Sequence, residues 1–198
     1  MAVSRDVFQV HRDEVWRAIK DAMQGAPWDG RVLRVRHGPF VVTLDVHADI
    51  AGYSSAVVTR LRAAFMNPDA FRFRLRRRSV LSDLASLVGV QDIELGDPPF
   101  DREFVVQGNR PEQVRRLVGS AELRAALLES AVHLVEVRPD EGWFGPEFPD
   151  NVDELYVEAE RRLVDEPEIE KLYCVFAELL NRLSHLGSAY GEDPHLEI

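Results

Sequence analysis

The chain has 198 residues, 45% hydrophobic and 29% charged, which is typical of one soluble globular domain with a sizeable core. A single cysteine excludes an internal disulfide, and neither a secretory signal nor an apolar run of the roughly 20 residues that span a membrane is present, so we expect a cytoplasmic protein. The net charge of −10 opposes contacts with phosphates, so we expect no nucleic-acid partner.

The first half of the chain predicts one helix and a series of strands. Apolar side chains recur at helical spacing in residues 13–24. Residues 31–36 and 40–48 have the pattern of the two strands of a hairpin. Residues 55–65 fit either a helix or a strand, and their β-branched side chains favour a strand. In residues 71–76, apolar side chains alternate with arginine, which predicts a strand with one buried face.

The second half predicts shorter elements and then one long helix. Strands are predicted at residues 103–107, 132–137 and 155–160. Helices are predicted at residues 82–88, after Asn109, after Ser120, and from Pro167 to Leu186. Asn109, with Glu112 three residues later, has the spacing of a capping box.

The elements together predict an α+β fold, because helices and strands are segregated rather than steadily alternating. We expect a largely antiparallel β-sheet with helices packed on one face and a long C-terminal helix. Residues 1–186 are expected to form a single domain, and the acidic, turn-rich residues 187–198 a mobile tail.

The last helix carries a continuous apolar stripe. Its members alternate spacings of three and four residues: Ile169, Leu172, Phe176, Leu179, Leu183 and Leu186. Such a stripe packs either on the sheet of its own domain or against the same helix of a second copy in a homodimer. The helix is shorter than the three or four heptads of a coiled coil, so we favour core packing. Cys174 falls opposite the stripe beside acidic residues, which disfavour a nucleophilic thiolate.

One segment resembles a known group of proteins. Residues 90–109 read VQDIELGDPPFDREFVVQGN, and a helix is predicted to open at Pro111. This segment resembles an uncharacterised group of bacterial proteins that contain the form G-x-P-x-F-D-x-x-F-x-V. GWFG at residues 142–145 and LGSAY at residues 186–190 are similar to the same group. The resemblance implies a bacterial protein of domain size, and it supplies neither an activity nor a catalytic residue.

Asp45 and His47 are candidates for acid–base or metal chemistry. They lie two residues apart on a predicted strand, so their side chains share a face. A neighbouring His37 would complete a site of the kind that a small hydrolase or a metal-dependent enzyme uses. An ordinary polar sheet face explains the same spacing, and we favour that interpretation.

An acidic stretch is a second candidate for metal binding. Its members are Asp92, Glu94, Asp97 and Asp101. They match no calcium-loop register, so we expect a solvated turn in which Asp101 accepts hydrogen bonds from backbone N–H groups.

Five arginines form a basic strip on one predicted strand: Arg72, Arg74, Arg76, Arg77 and Arg78. One hypothesis is that the strip binds a phosphate-rich partner, although no aromatic residues interleave on its outward face. We favour neutralisation within the fold, because residues 1–110 hold 16 Lys and Arg against 14 Asp and Glu, whereas residues 111–198 hold 8 against 20. Glu158 and Glu160 are the expected partners of the strip.

The sequence favours a non-catalytic interaction or ligand-binding domain. The common nucleotide, zinc and hydrolase motifs are missing, and the scattered histidines predict no metal and no cofactor. Besides the arginine strip, Trp143 and Phe144 are candidate binding residues, since a partner would dock on an exposed aromatic surface. The partner, either a protein or a small ligand, is not indicated, and a homodimer stays open.

Overall fold

The computed structural model of the chain describes residues 16–21, 23, 28–37, 40–49, 56–78, 92–140, 148–187 and 194. These residues form one antiparallel sheet of seven strands with helices packed on one face and a long helix near the C-terminus. The predicted α+β class is therefore confirmed. No helix in these ranges is long and apolar enough to cross a membrane.

The strands pair in the order β1-β2-β3-β7-β6-β4-β5, so the sheet is assembled from distant parts of the chain. Their bounds are β1 (Leu33–His37), β2 (Phe40–Asp49), β3 (Ala56–Met66), β4 (Phe73–Arg77), β5 (Phe104–Gly108), β6 (Val132–Arg138) and β7 (Val152–Ala159). The helices are α1, which includes residues 16–21 and 23, α2 (Pro98–Glu103), α3 (Pro111–Leu117), α4 (Ala121–Glu129) and α5 (Glu166–Leu186). The strand predicted at residues 55–65 is confirmed as β3, and the helix predicted at residues 82–88 lies outside the described ranges.

One face of the sheet forms the core with the helices. Directly paired apolar residues cross all seven strands in a single row: Leu33, Leu44, Leu61, Val157, Val135, Leu75 and Val106. All but Leu33 are buried, and each large aliphatic side chain contributes about 1.5–3 kcal/mol on burial. Because side chains alternate along a strand, the neighbours of this row must point to the opposite face.

Helix α5 lies on the apolar face of the sheet. Ile169, Leu172, Phe176, Leu179 and Leu183 are completely buried, and the helix contacts β3, β7 and helices α3 and α4. Gly187 ends the helix with a φ of 76°, a left-handed conformation that glycine adopts without strain. The apolar stripe is therefore buried within its own domain, which confirms core packing.

Asn109 does not cap the helix that follows it, so the predicted capping box is wrong. The N-cap of α3 is Arg110, and its side chain makes no capping hydrogen bond. Asn109 lies beside the start of β4, because Gly108 is paired with Phe73. Its Oδ1 accepts a hydrogen bond from the Arg72 backbone N–H at 3.0 Å, and its Nδ2 donates to the Ala70 carbonyl. The amide thus joins two chain segments instead of starting a helix.

The short helix α2 begins within the acidic stretch, which was predicted to be a solvated turn. Asp97 caps it by accepting from the Phe100 N–H at 3.3 Å. Asp101 accepts from the N–H groups of Leu95 and Asp97 at 3.1 and 3.0 Å, which confirms its predicted role as an acceptor for backbone groups. The two carboxylates therefore hold the chain where it enters the helix.

Alternation in β4 predicts unequal effects for two neighbouring substitutions. Phe73→Ala should cost about 3–5 kcal/mol, because it empties a buried aromatic site that stacks on Phe71. Arg74→Ala should cost about 1 kcal/mol, because the Arg74 side chain is 43% exposed. Urea unfolding of both variants measures the difference. Equal losses would mean that the two faces of β4 are wrongly assigned.

Candidate functional site

The sheet face opposite the helices carries charged side chains on every strand from β1 to β4 in the sheet order. Starting at β1, directly paired residues on this side include seven arginines: Arg34, Arg36, Arg60, Arg62, Arg138, Arg74 and Arg76. The carboxylates described on it are Asp45, Glu136, Glu154 and Glu158. We call this side the arginine face. Its arginines outnumber its carboxylates, although the whole chain has a net charge of −10.

Asp45 holds two arginines of the adjacent strand. Arg60 donates to both of its oxygens, from Nε at 2.6 Å and from Nη2 at 3.0 Å, and Arg62 donates from Nη2 at 2.8 Å. Burial alone would raise the pKa of the Asp45 carboxyl, but the hydrogen bonds and charges of the two arginines outweigh it and lower that pKa. Asp45 is therefore an ionised anchor whose oxygens are already occupied.

A second cluster lies on β4, β6 and β7. Glu136 Oε2 accepts from Arg74 Nε at 2.7 Å, and Glu136 Oε1 lies 3.6 Å from Arg138 Nη1. Arg138 also donates to Glu154, whose side chain is completely buried. In this cluster the buried carboxylates fix the positions of guanidinium groups that are more exposed, since Arg74 is 43% exposed against 10% for Glu136.

Tyr156 lies between the two clusters. The guanidinium carbon of Arg138 stands 3.8 Å from the centre of its ring, a cation–π contact. Burial, together with the negative charge of Glu158, raises the pKa of the Tyr156 phenol far above its ordinary range. The phenol therefore stays neutral and donates its proton to Glu158 in a hydrogen bond. Its role here is to orient a carboxylate rather than to transfer a proton.

The charged side chains of the arginine face differ in their exposure to solvent. Its carboxylates Asp45, Glu136 and Glu154 are nearly inaccessible, whereas Arg34 and Arg36 are exposed and Arg74 is 43% exposed. At β1 and β4 the guanidinium groups are therefore more exposed than these carboxylates, whereas Arg62, at 6%, is as buried as Asp45. Because buried partners already hold several of these groups in place, binding would cost little additional side-chain entropy.

The five arginines of the predicted basic strip do not form one surface. Arg74 and Arg76 belong to the arginine face, whereas Arg72 precedes β4 and pairs with Asp153 at 3.2 Å. Arg77 pairs with Glu103 at 3.1 Å and also donates to the carbonyl groups of residues 127, 128 and 130 at the end of α4. Arg78 is exposed beyond the strand. The strip is thus divided between the arginine face and contacts elsewhere in the fold.

The predicted partners of the strip have other contacts. Glu158 accepts the hydrogen bond of Tyr156, and Glu160 lies 3.2 Å from His133 Nδ1. The ion pairs described for Arg72 and Arg74 are instead with Asp153 and Glu136. For Arg74 the reason is strand order, because β4 lies beside β6, which carries Glu136, and not beside β7. Arg72 precedes β4 and contacts Asp153 near the start of β7.

Asp45 and His47 lie two residues apart on β2 and share a face as predicted, but the structure does not place His37 beside them. His37 is paired with Phe40, whereas His47 is paired with Val58 near the other end of β2. Seven residues of strand separate positions 40 and 47, which corresponds to about 23 Å. Asp45 is held by two arginines rather than by a histidine.

The remaining candidates that the structure describes form no metal or nucleophile site. Trp143 and Phe144 lie outside the described ranges. Cys174 is of intermediate exposure on α5. Asp97, from the acidic stretch, pairs with Arg124 at 2.7 Å. Within the described ranges, no group of three or more His, Cys, Asp or Glu side chains is placed to hold a metal ion.

A small pocket of about 170 Å³ lies where β3 ends and β7 begins. Asn67, Arg72 and Asp153 line it, and the first two both donate to the Asp153 carboxylate. Ligand sites usually enclose about 300–1,000 Å³, so this pocket is small for one. Its polar side chains bind one another. Asn67 Oδ1 also accepts a hydrogen bond from the Phe71 N–H, so these contacts fix the turn between β3 and β4.

Most members of the arginine face were missed by the sequence analysis. Arg60, Arg62, Glu136, Arg138 and Glu154 lie in strands that were predicted only from their apolar residues. The available signal was charge at alternate positions, as in TRLR, VEVR and DELYVE. Only the strand order shows that these separate patterns meet on one surface.

Comparison of the chain with protein-family models, with curated proteins and with solved structures finds no match. The resemblance of residues 90–109 to a bacterial group therefore stays a prediction.

Proposed function

We propose that the protein is a non-catalytic interaction domain that binds an acidic segment of a partner protein on the arginine face. The observation that carries the proposal is the excess of arginine on this face in a chain whose net charge is −10. Positive charge that is concentrated on one face of a negatively charged chain attracts an acidic ligand and orients its approach.

A short acidic segment fits better than a long polyanion. Nucleic acid extends well beyond its contact surface, so it would experience the negative charge of the rest of the chain. A segment of a few carboxylates can lie within the arginine face alone. Planar guanidinium groups also bind carboxylates through two parallel hydrogen bonds, the geometry seen between Arg60 and Asp45.

The arrangement supports binding more than catalysis. The carboxylate Asp45 is held ionised by arginine, and the phenol of Tyr156 is held neutral, so neither is poised to exchange a proton near neutral pH. The enzyme hypothesis required His37 beside Asp45 and His47, but His37 is paired near the other end of β2.

Labelled hexaglutamate and hexalysine test this function by fluorescence anisotropy. Hexaglutamate should bind, more weakly as salt is added, and hexalysine should not. The double variant Arg34→Gln/Arg36→Gln should weaken binding about tenfold, since two exposed guanidinium groups are lost from the arginine face. Arg115→Gln/Arg116→Gln removes the same charge from α3, on the other side of the sheet, and should leave the affinity unchanged. Equal losses from both double variants would mean that only net charge matters, which contradicts the proposal.

A further inference from the structure

Strand β1 is one edge of the sheet. β2 pairs with one side of β1, and no strand in the described part of the chain pairs with the other. An edge strand directs backbone N–H and C=O groups outward in the spacing that another strand requires. The opposite edge differs, because the Ile93 N–H donates to the Val106 carbonyl and so partly covers β5.

The side chains of β1 specify what kind of strand would fit beside it. Leu33 and Val35 are half-buried and pack against the core, on the helix side of the sheet. Arg34 and Arg36 are exposed and belong to the arginine face. Since opposing side chains in paired strands share a face, a matching strand would alternate apolar and acidic residues.

We propose that β1 accepts the acidic segment of the partner as an eighth strand of the sheet. Its carboxylates then lie beside Arg34 and Arg36, and its apolar side chains extend the core beside Leu33 and Val35. Backbone hydrogen bonds contribute affinity, and the alternation of side chains contributes specificity. This inference rests on the proposed function and adds the position and conformation of the bound segment.

The same charges oppose pairing between two copies of this chain. An antiparallel pairing of β1 with itself has its greatest overlap when it is centred on Val35. Arg34 would then lie directly opposite Arg36 of the second copy, and like charges at that position destabilise the pair. The arginines of the edge thus disfavour self-association while they attract an acidic strand.

Two peptides of identical composition separate strand pairing from general attraction of charge. In the first, glutamate alternates with valine, and in the second the same residues form one glutamate block and one valine block. The alternating peptide should bind at least about tenfold more tightly, because only it can place all carboxylates on one face. It should also slow amide hydrogen exchange in Leu33–His37. Equal affinities without protection of β1 would overturn the inference.

N-methylation of alternate backbone amides in the alternating peptide is the sharper test. The modification removes the backbone donors on one edge of the peptide and keeps every charge. Methylation of the edge that faces β1 should weaken binding, and methylation of the other edge should not. If the affinity is unchanged whichever edge is methylated, β1 pairing is wrong, although attraction to the arginine face still stands. If neither the methylated nor the unmodified peptide binds, both this inference and the proposed function fail.

Charge reversal at the edge gives an independent readout. The variant Arg34→Glu/Arg36→Glu should no longer bind the glutamate–valine peptide. It should instead bind a peptide in which lysine alternates with valine. Arg115→Glu/Arg116→Glu is the matched control on α3 and should keep the original preference. A reversed variant that still prefers the acidic peptide would exclude β1 as the site.

Discussion

Leu179→Glu is expected to abolish folding. Leu179 is completely buried in α5, where the helix packs on the sheet and on α3 and α4. The substitution places a carboxylate in an apolar site without a partner, and such changes belong to the most destabilising class, above about 4 kcal/mol. Circular dichroism and size-exclusion chromatography should show an unfolded or aggregated chain.

Lys171→Glu is the matched control for this prediction. It introduces the same residue on the same helix at an exposed position, so its effect should stay within about 1 kcal/mol. A folded Leu179→Glu variant that changes from dimer to monomer would contradict core packing and identify α5 as an interface between copies.

Asp45→Asn is expected to destabilise the protein by about 3–5 kcal/mol, because it removes the charge that neutralises two arginines. Arg62 is the more affected of the two, since its side chain is only 6% exposed. Glu112→Gln breaks an exposed ion pair with Arg115 on α3 and should cost less than about 1 kcal/mol. Chemical unfolding at neutral pH compares the two variants.

The effect of Asp45→Asn should also depend on pH. Hydrogen bonds from Arg60 and Arg62 lower the pKa of the Asp45 carboxyl in the folded state against the opposing effect of burial. A carboxyl with a lowered folded-state pKa stabilises the fold above its unfolded-state pKa, and this contribution is lost as the pH falls through the folded-state pKa. The difference between wild type and variant should therefore shrink below about pH 4. A difference that stays constant down to pH 2 would mean that the charge of Asp45 is not what stabilises the fold.

The strands and the longest helix were predictable because their patterns are local. Alternation in residues 71–76 gave the buried face of β4, and β-branched residues gave β3 where helical spacing competed. The apolar stripe keeps its spacing of three and four residues along the 21-residue helix α5. This length is enough to distinguish a packed helix from chance. In each case the residues that decide the structure are close together in the sequence.

The candidate site was not predictable, because it depends on contacts between distant residues. Arg60 meets Asp45 across a hairpin, but Arg138 and Glu154 meet only because β6 lies beside β7. The basic strip was recognised, yet its expected partners assumed another strand order. Asn109 was mispredicted for the same reason. Its side-chain amide bonds to the backbone just before β4 instead of capping α3, the helix that follows it. Tertiary contacts thus outweighed a correct local capping pattern.

Nuclear magnetic resonance gives the most direct test of the arginine face as a binding surface. Backbone amide shifts of the isotopically labelled protein are followed while the alternating glutamate–valine peptide is added. We expect amide shift changes that are largest in β1 and decrease across β2 and β3, while the amide shifts of α3, α4 and α5 stay the same. Changes that centre on the helices, or no change at saturating peptide, would contradict this expectation.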